Sequence, residues 1–357
     1  MKSKVDTATG WSRGGRQLQR CALFGAALAV TGCLLVAPKP GAGATSARRA
    51  GQTSPAAHSR PAFAIVLVTL DGTRWHEVFE GVDAKLAASH GLAASDVVGA
   101  AELMPNLHRI IATHGAALGA PGHGAPIRAS GPNFVSLPGY AELLSGRTVT
   151  NCRDNQCTNS GARTIVDEFS ARSAGSETQA VIFTSWPDIS RVASEHSASV
   201  EPAPGNGTFR PDALTAELAL QHLKAHSPEF LFLGLGEPDE FGHQNNYAGY
   251  LNALRYADAR IGEIDRQLQL LAASGTRTAL FVTADHGRAD GFVDHGSKFP
   301  ESARVWLVAA GSALHCTGFI AARNEHRLAD LAPTVRAIAG LPRDTNAAAG
   351  APLLELL

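Results

Sequence analysis

The run FAIVLVTLD, residues 63–71, is nearly continuous in apolar residues and rich in β-branched ones. A strand with one wet face alternates apolar and polar positions, so a run without alternation predicts a strand covered on both faces, as in a parallel sheet flanked by helices. Similar runs recur as AVIFTS from Ala180, FLFLGLG from Phe230, ALFVTAD from Ala279 and RVWLVAAG from Arg304. Between them the pattern predicts helices: MPNLHRIIATHG from Met104, with Pro105 near the first turn and Gly115 as the stop, and PDALTAELALQHLKAH from Pro211. A long helix is expected from Tyr247 to Gly275, and another over HRLADLAPTVRAIAG, from His326 to Gly340. This alternation predicts an α/β fold, three-layer α/β/α with a mainly parallel central sheet. The Gly-rich GAALGAPGHGAP, residues 115–126, lacks the lysine and spacing of a phosphate-binding loop and reads as an ordinary loop.

The N-terminus has a different texture. Lys2, Lys4, Arg13, Arg16 and Arg20 precede the apolar run CALFGAALAVTGCLLVA, residues 21–37, which is a signal-peptide pattern. Two endings compete. AGA at residues 42–44 suits cleavage after Ala44, and VTGC at residues 30–33 resembles a lipoprotein box that would place a lipid anchor on Cys33. Apolar Leu34, Leu35 and Val36 directly after Cys33 favour the first. An uncleaved membrane anchor is disfavoured because the run falls short of the ~20 apolar residues of a span. The expected organisation is a signal peptide over 1–44, a Pro/Ala-rich linker over 45–60 and one folded domain over 61–357, in a protein exported to the periplasm or beyond. Export lets Cys152 and Cys157 of CRDNQC close a small disulfide loop and leaves Cys316 unpaired. A formal net charge of -1, with no long run of like charge, gives no surface suited to nucleic acid.

In open α/β sheets, ligands bind beyond the carboxyl ends of the strands. The residues found there are chemically coherent: Asp71 after the first run, Asp239 and His243 after FLFLGLG, Asp285 and His286 closing ALFVTADH, and His295 in a further DHG. Carboxylates and imidazoles together are the donor set of zinc or a similar ion, whereas magnesium and calcium prefer oxygen alone. Asp239 and His243 stand at i and i+4, so one helical turn can aim both at one ion. Ser136, in NFVSLPGYAELLSGR, sits at the mouth of a helix expected over 138–145, where it reads as the N-cap. A serine hydroxyl is a poor nucleophile unaided; the helix dipole favours its alkoxide, and a divalent ion would favour it more. His108, His114, His123, His222 and His226 fall outside this set, and Trp75 and Phe79 read as packing residues.

The ordered set Asp71, Ser136, Asp239/His243, Asp285/His286, His295 resembles the alkaline phosphatase superfamily, in particular its type I phosphodiesterase/nucleotide pyrophosphatase branch and the phosphatase relatives of that branch. MPNLHRIIATHG is similar to the superfamily's TPNLDRLAAEG-type helix, and LADLAPTVRAIAGL to its closing DIAPTLLALLGL segment. The resemblance implies a two-zinc site in which Asp239, His243 and His295 hold one ion, while Asp71, Asp285, His286 and the Ser136 oxygen hold the other. It implies a hydrolase of small phosphate mono- or diesters in which Ser136 becomes phosphorylated and configuration at phosphorus is retained. A phosphomutase of the same superfamily and a catalytically silent metal-binding envelope protein are the alternatives. Sulfatases of this fold carry C/S-x-P-x-R, and here Tyr140 stands in place of the arginine; family phosphodiesterases carry T-x-PNH, and here Ser136 and PGY replace the threonine and PNH. The family's substrate-side asparagine is matched by Asn155, with Asn151 and Asn159 as rivals. Eight residues separate His286 from His295, where several relatives insert a cap domain, which implies that this lid is missing; residues 151–230 are the segment that could fold over the site.

Overall fold

Strand β1 (Phe63–Leu70) runs through the middle of the molecule: from Ala64 to Val68 no residue is more than 1% exposed, although successive side chains point to opposite faces. Both faces are therefore covered, and the chain has three layers. The computed structural model describes residues 62–157, 161–172, 180–193 and 209–357; the expected signal peptide, lipoprotein box at Cys33 and linker, and Asn159, lie outside the described residues.

The further strands are β2 (Gly115–Leu118), β3 (Ile127–Arg128), β4 (Ala180–Thr184), β5 (Phe230–Leu235), β6 (Arg277–Thr283), β7 (Arg304–Val305), β8 (Leu307–Ala310), β9 (Gly318–Phe319) and β10 (His326–Arg327). Seven form the central sheet in the order β4-β5-β1-β6-β8-β2-β9, and β10-β3-β7 form a small second sheet. β4, β5, β1 and β6 run parallel, with Leu70 beside Leu235 and Thr69 beside Thr283, whereas β8 pairs antiparallel with both β6 and β2. The result is a mixed α/β fold with a mainly parallel central sheet. Helix Tyr247–Ala273 packs on β6 and β1, Asp212–His226 on β5 and β4, and Pro105–Thr113 on β2 and β8.

Four sequence expectations change. Residues 115–118 are not loop but β2, fully buried against β8; their small side chains permit close backbone approach, since a Cβ added at Gly115 would lie 2.9 Å from the Ala309 carbonyl oxygen. RVWLVAAG is two strands in two sheets, parted at Trp306, whose buried indole donates to the Thr73 carbonyl at 3.1 Å. HRLADLAPTVRAIAG opens as β10 and a 3-10 turn, and its α-helix is confined to Leu331–Ala339. Most of the described parts of 151–230 belong to the β4 side of the fold itself, as helix Ile165–Arg172, β4 and helix Asp212–His226; residues 151–157 alone among them pack beside Ser136, through Asn155 on Leu137 N–H.

Asp212 ties that side to the exit of β5. Its carboxylate accepts from Gly236 N–H at 2.9 Å and Glu237 N–H at 3.0 Å, and from the Ser185 hydroxyl. Burial pushes this carboxyl up to about 7, against the Ser185 hydrogen bond. The folded chain thus binds the proton more tightly than the unfolded chain, so the associated stability is present below about pH 4 and is lost as pH rises through 7. Denaturant unfolding from pH 4.5 to 8 should show this decline, and Asp212→Asn should flatten it; an identical slope in the variant contradicts the assignment.

Candidate metal centre

β5, β1 and β6 end side by side, and each delivers candidate ligands at the same edge. Asp71 follows β1 directly, its N–H donating to the Leu235 carbonyl at 2.9 Å. Helix Glu237–His243 starts straight after β5, with Pro238 in its first turn, and sets Asp239 and His243 one turn apart with His243 Nε2 3.1 Å from Asp239 Oδ2. Asp285 and His286 follow β6 and are wholly buried. His295 returns from the short loop beyond them: its Nε2 lies 3.0 Å from His243 Nε2 and 3.7 Å from Asp239 Oδ1, and its ring stacks on His286 with centroids 4.0 Å apart.

Ser136 enters from the far side on helix Ser136–Ser145. This helix leans directly on the β6 exit, because Gly139 has no side chain; a Cβ there would sit 2.4 Å from the Asp285 carbonyl oxygen. The N-cap expectation for Ser136 is corrected. Val135 occupies the cap position without a side-chain bond, Ser136 is the first helical residue, and its hydroxyl turns instead to Asp71 Oδ1 at 3.4 Å and His286 Nε2 at 3.3 Å. All seven expected side chains, Asp71, Ser136, Asp239, His243, Asp285, His286 and His295, therefore meet in one cluster.

The electrostatics of the cluster are those of a site short of positive charge. His286 Nδ1 lies 2.8 Å from the Gly287 carbonyl and His295 Nδ1 2.9 Å from the Phe134 carbonyl, so each ring donates there and turns an Nε2 lone pair inward. Burial lowers His286 to about 4 and, with His286 beside it, His295 to about 3. Burial also raises the Asp71 and Asp285 carboxyls well above the usual range, with repulsion from Asp285 adding at Asp71 and from Asp239 adding at Asp285. Asp239 behaves oppositely: burial opposes its ionisation, but the His243 hydrogen bond and then the Arg288 guanidinium hold it below the carboxylate range. Asp285 Oδ2 is buried with no hydrogen-bond partner among the described residues.

Inward lone pairs, mutually repelling carboxylates and an orphaned buried oxygen fit divalent ions, which would satisfy all three at once. Ligand atoms of Asp71, Asp285 and His286 lie within 4.8 Å of one another, and so do those of Asp239, His286 and His295. His286 thus stands between the two groups, where the sequence places it in one. A third cluster, His76, Glu77 and Asp83, already contains a cation: the Arg74 guanidinium sits 3.0 Å from Glu77 Oε1 and 3.1 Å from Asp83 Oδ2.

Two contributors lie outside the strand-end pattern that marks the other residues. The Tyr140 hydroxyl donates to Asp71 Oδ2 at 3.0 Å and leaves Oδ1 facing Ser136. Arg288, also buried, donates to Asp239 Oδ1. Asn155 accepts from Leu137 N–H, next to Ser136, at 3.0 Å, and sits inside the loop closed by the Cys152–Cys157 disulfide. Asn151 is exposed, as is Asn155, and Cys316 has no disulfide partner among the described residues.

Solved structures with this arrangement of elements include murine ectonucleotide pyrophosphatase/phosphodiesterase 5 with AMP (TM-score 0.52, 12% identity, covering 80% of this chain and 97% of that one). The phosphonate monoester hydrolase of Silicibacter pomeroyi is similar too (TM-score 0.51, 15% identity, covering 81% and 75%). The shared fold is alkaline phosphatase-like. The family model of the metalloenzyme superfamily matches residues 197–342, the stretch that carries Asp239, His243, Asp285, His286 and His295. Over that stretch the chain is similar to the metalloenzyme superfamily. Similar curated proteins include 2,3-bisphosphoglycerate-independent phosphoglycerate mutases, from Haloarcula marismortui (30% identical over 148 residues, 39% of this chain and 26% of the relative) and Thermomicrobium roseum (30% over 138 residues, 36% and 24%). The chain spans about a quarter of the length of these relatives.

Proposed function

We propose that this chain is an exported, metal-dependent hydrolase of phosphate mono- or diesters with Ser136 as its nucleophile. The observation that carries this reading is a buried hydroxyl within 3.4 Å of both a carboxylate and an imidazole of one ligand group, at the first residue of a helix. Asp71, Asp285 and His286 would hold one ion beside Ser136, and Asp239, His243 and His295 the other; the donor types favour zinc. Two such ions, when bound, supply the Lewis acidity that activates a hydroxyl and offsets charge on phosphoryl oxygens.

The chain's own groups define the remaining steps. Tyr140 fixes Asp71 so that Oδ1 faces Ser136. Ser136 gives up its hydroxyl proton to solvent and its Oγ forms a bond to phosphorus as the ester P–O bond breaks in line with it; the departing oxygen leaves as an alcohol after taking a proton from water. Asn155, its carbonyl engaged by Leu137 N–H, keeps its amide protons for a phosphoryl oxygen. Water then displaces Ser136 in line, and two inversions give net retention. Replacing both Cys152 and Cys157 by serine should cost less than the roughly 3 kcal/mol of a fifteen-residue loop, yet lower kcat/KM roughly tenfold by loosening Asn155. Unchanged kinetics in that variant would remove Asn155 from the substrate side.

A mutase reading draws on the named relatives, and hydrolysis is favoured by the eight-residue His286–His295 connection, which leaves no room there for a lid that would shield a phosphoenzyme from water. Export is supported by the basic and apolar N-terminus. Assay of an aryl phosphate monoester, an aryl diester, a phosphonate monoester and 3-phosphoglycerate decides between them. Zinc-dependent release of the aryl alcohol and free phosphate is expected; phosphoryl migration on the glycerate without free phosphate would establish the mutase instead.

A further inference from the structure

We propose that Arg288 is the positioning residue of the metal centre: its guanidinium grips Asp239 on one side and the carbonyls of Phe292 and Val293 on the other, and so sets Asp239 and His295 in register for an ion before the ion arrives. The inference rests on the two-ion reading above.

Arg288 is 3% exposed, and each of its three guanidinium nitrogens is committed in a different direction. Nη1 donates to Asp239 Oδ1, Nε to the Phe292 carbonyl at 2.6 Å and Nη2 to the Val293 carbonyl at 2.5 Å. One planar fork thereby joins three parts of the site: the β6 exit that carries Asp285 and His286, the helix that carries Asp239 and His243, and the loop that leads into His295. A point charge on a flexible stem has no equivalent geometry.

The surroundings are shaped to this side chain. A Cβ at Gly242, between Asp239 and His243, would lie 2.3 Å from Arg288 Cζ. A Cβ at Gly72, where φ is +58°, would lie 2.9 Å from Nη1 and 2.2 Å from Asp239 Oδ1. Phe292 adopts φ 76°, a left-handed conformation that is a genuine outlier for a bulky residue. Such a conformation persists only where its neighbours over-determine it. Here the Phe292 ring is wholly buried against Tyr247 and Tyr250, with centroids 5.1 Å away in each case, and its carbonyl is turned onto Arg288. Ala289 N–H closes the same loop onto the Asp294 carbonyl at 2.8 Å, immediately before His295.

A guanidinium beside a cation site has two opposed effects. Its charge repels the incoming ion, whereas its hydrogen bonds hold the ligands where the ion needs them. Positioning dominates here, because Arg288 engages one Asp239 oxygen and leaves Oδ2 toward His243, while an unrestrained loop would release His295. The test compares full-length wild type, Arg288→Met and Arg288→Lys by zinc content after dialysis, chelator-competition titration and cobalt(II) absorption spectra, with far-UV circular dichroism for folding.

Wild type should hold two ions. Arg288→Met should keep its fold and one ion, with affinity for the second weakened at least tenfold and the cobalt spectrum of one site lost; Arg288→Lys should fall between. Folded variants that bind two ions with wild-type affinity, or more tightly, would overturn the proposal. Loss of both ions together with the circular dichroism signal in both variants would also overturn it, by making Arg288 a general structural residue. A wild type that binds no metal would remove the two-ion reading itself, a result distinguishable from either.

Discussion

Ser136→Ala is expected to lower zinc-dependent turnover of an aryl phosphate by roughly 10³- to 10⁵-fold, somewhat less than the ~10⁶-fold lost when a serine nucleophile is removed from a triad that acts as a unit. At 1.36 kcal/mol for each factor of ten, that is about 4–7 kcal/mol of transition-state stabilisation. The fold should not notice the change. Ser136 supplies no side-chain cap to its helix, and among the described residues its hydroxyl is within hydrogen-bond distance of Asp71 and His286 alone, at 3.4 and 3.3 Å. Metal content and melting temperature should therefore match wild type. Acid-quenched wild type should carry a phosphoseryl adduct on the peptide containing Ser136, and the variant none. A variant with a tenth or more of wild-type activity would mean that water, not Ser136, attacks phosphorus.

Removing zinc should reverse the order of stability of wild type and Asp285→Asn. In the chelated wild type Asp285 is wholly buried, its Oδ2 has no hydrogen-bond partner among the described residues, and burial with Asp239 repulsion opposes its charge. Asparagine retains the acceptor for Gly72 N–H, which lies 3.1 Å from Oδ1, and removes the uncompensated charge. The chelated variant should be more stable than chelated wild type by roughly 1–3 kcal/mol, the scale of an unsatisfied buried polar group. With zinc at a thousandfold excess over its Kd, wild type gains about 4 kcal/mol and the variant little, so the two melting curves should cross between conditions. Activity is expected to disappear with the metal. If the chelated variant melts below wild type, or binds zinc equally well, Asp285 is a structural carboxylate and not a ligand.

The sheet was readable because Phe63–Leu70, Phe230–Leu235 and Arg277–Thr283 lie at its centre, where burial on both faces suppresses the alternation that would mark an outer strand. The clustering of Asp71, Asp239, His243, Asp285, His286 and His295 was readable for the same reason: strand ends in such a sheet converge, and Asp and His immediately after them have few structural uses in combination. β2 was not, since Gly-Ala-Ala-Leu has weak strand preference and is held by its antiparallel pairing with β8. Ser136 shows local pattern yielding to tertiary contact: a serine just before a helix reads as a cap, but its hydroxyl is engaged by residues 65 and 150 positions away. Tyr140 and Arg288 act across 69 and 49 positions, and nothing beside them in the chain marks an inward-facing side chain. Their roles depend on the assembled core.

Anomalous diffraction at the zinc edge, from crystals of the zinc-loaded protein, tests the central claim most directly. Two peaks ~4 Å apart are expected, one among Asp71, Asp285 and His286 and next to Ser136 Oγ, the other among Asp239, His243 and His295. A map with no peak within bonding distance of these six side chains would contradict the account.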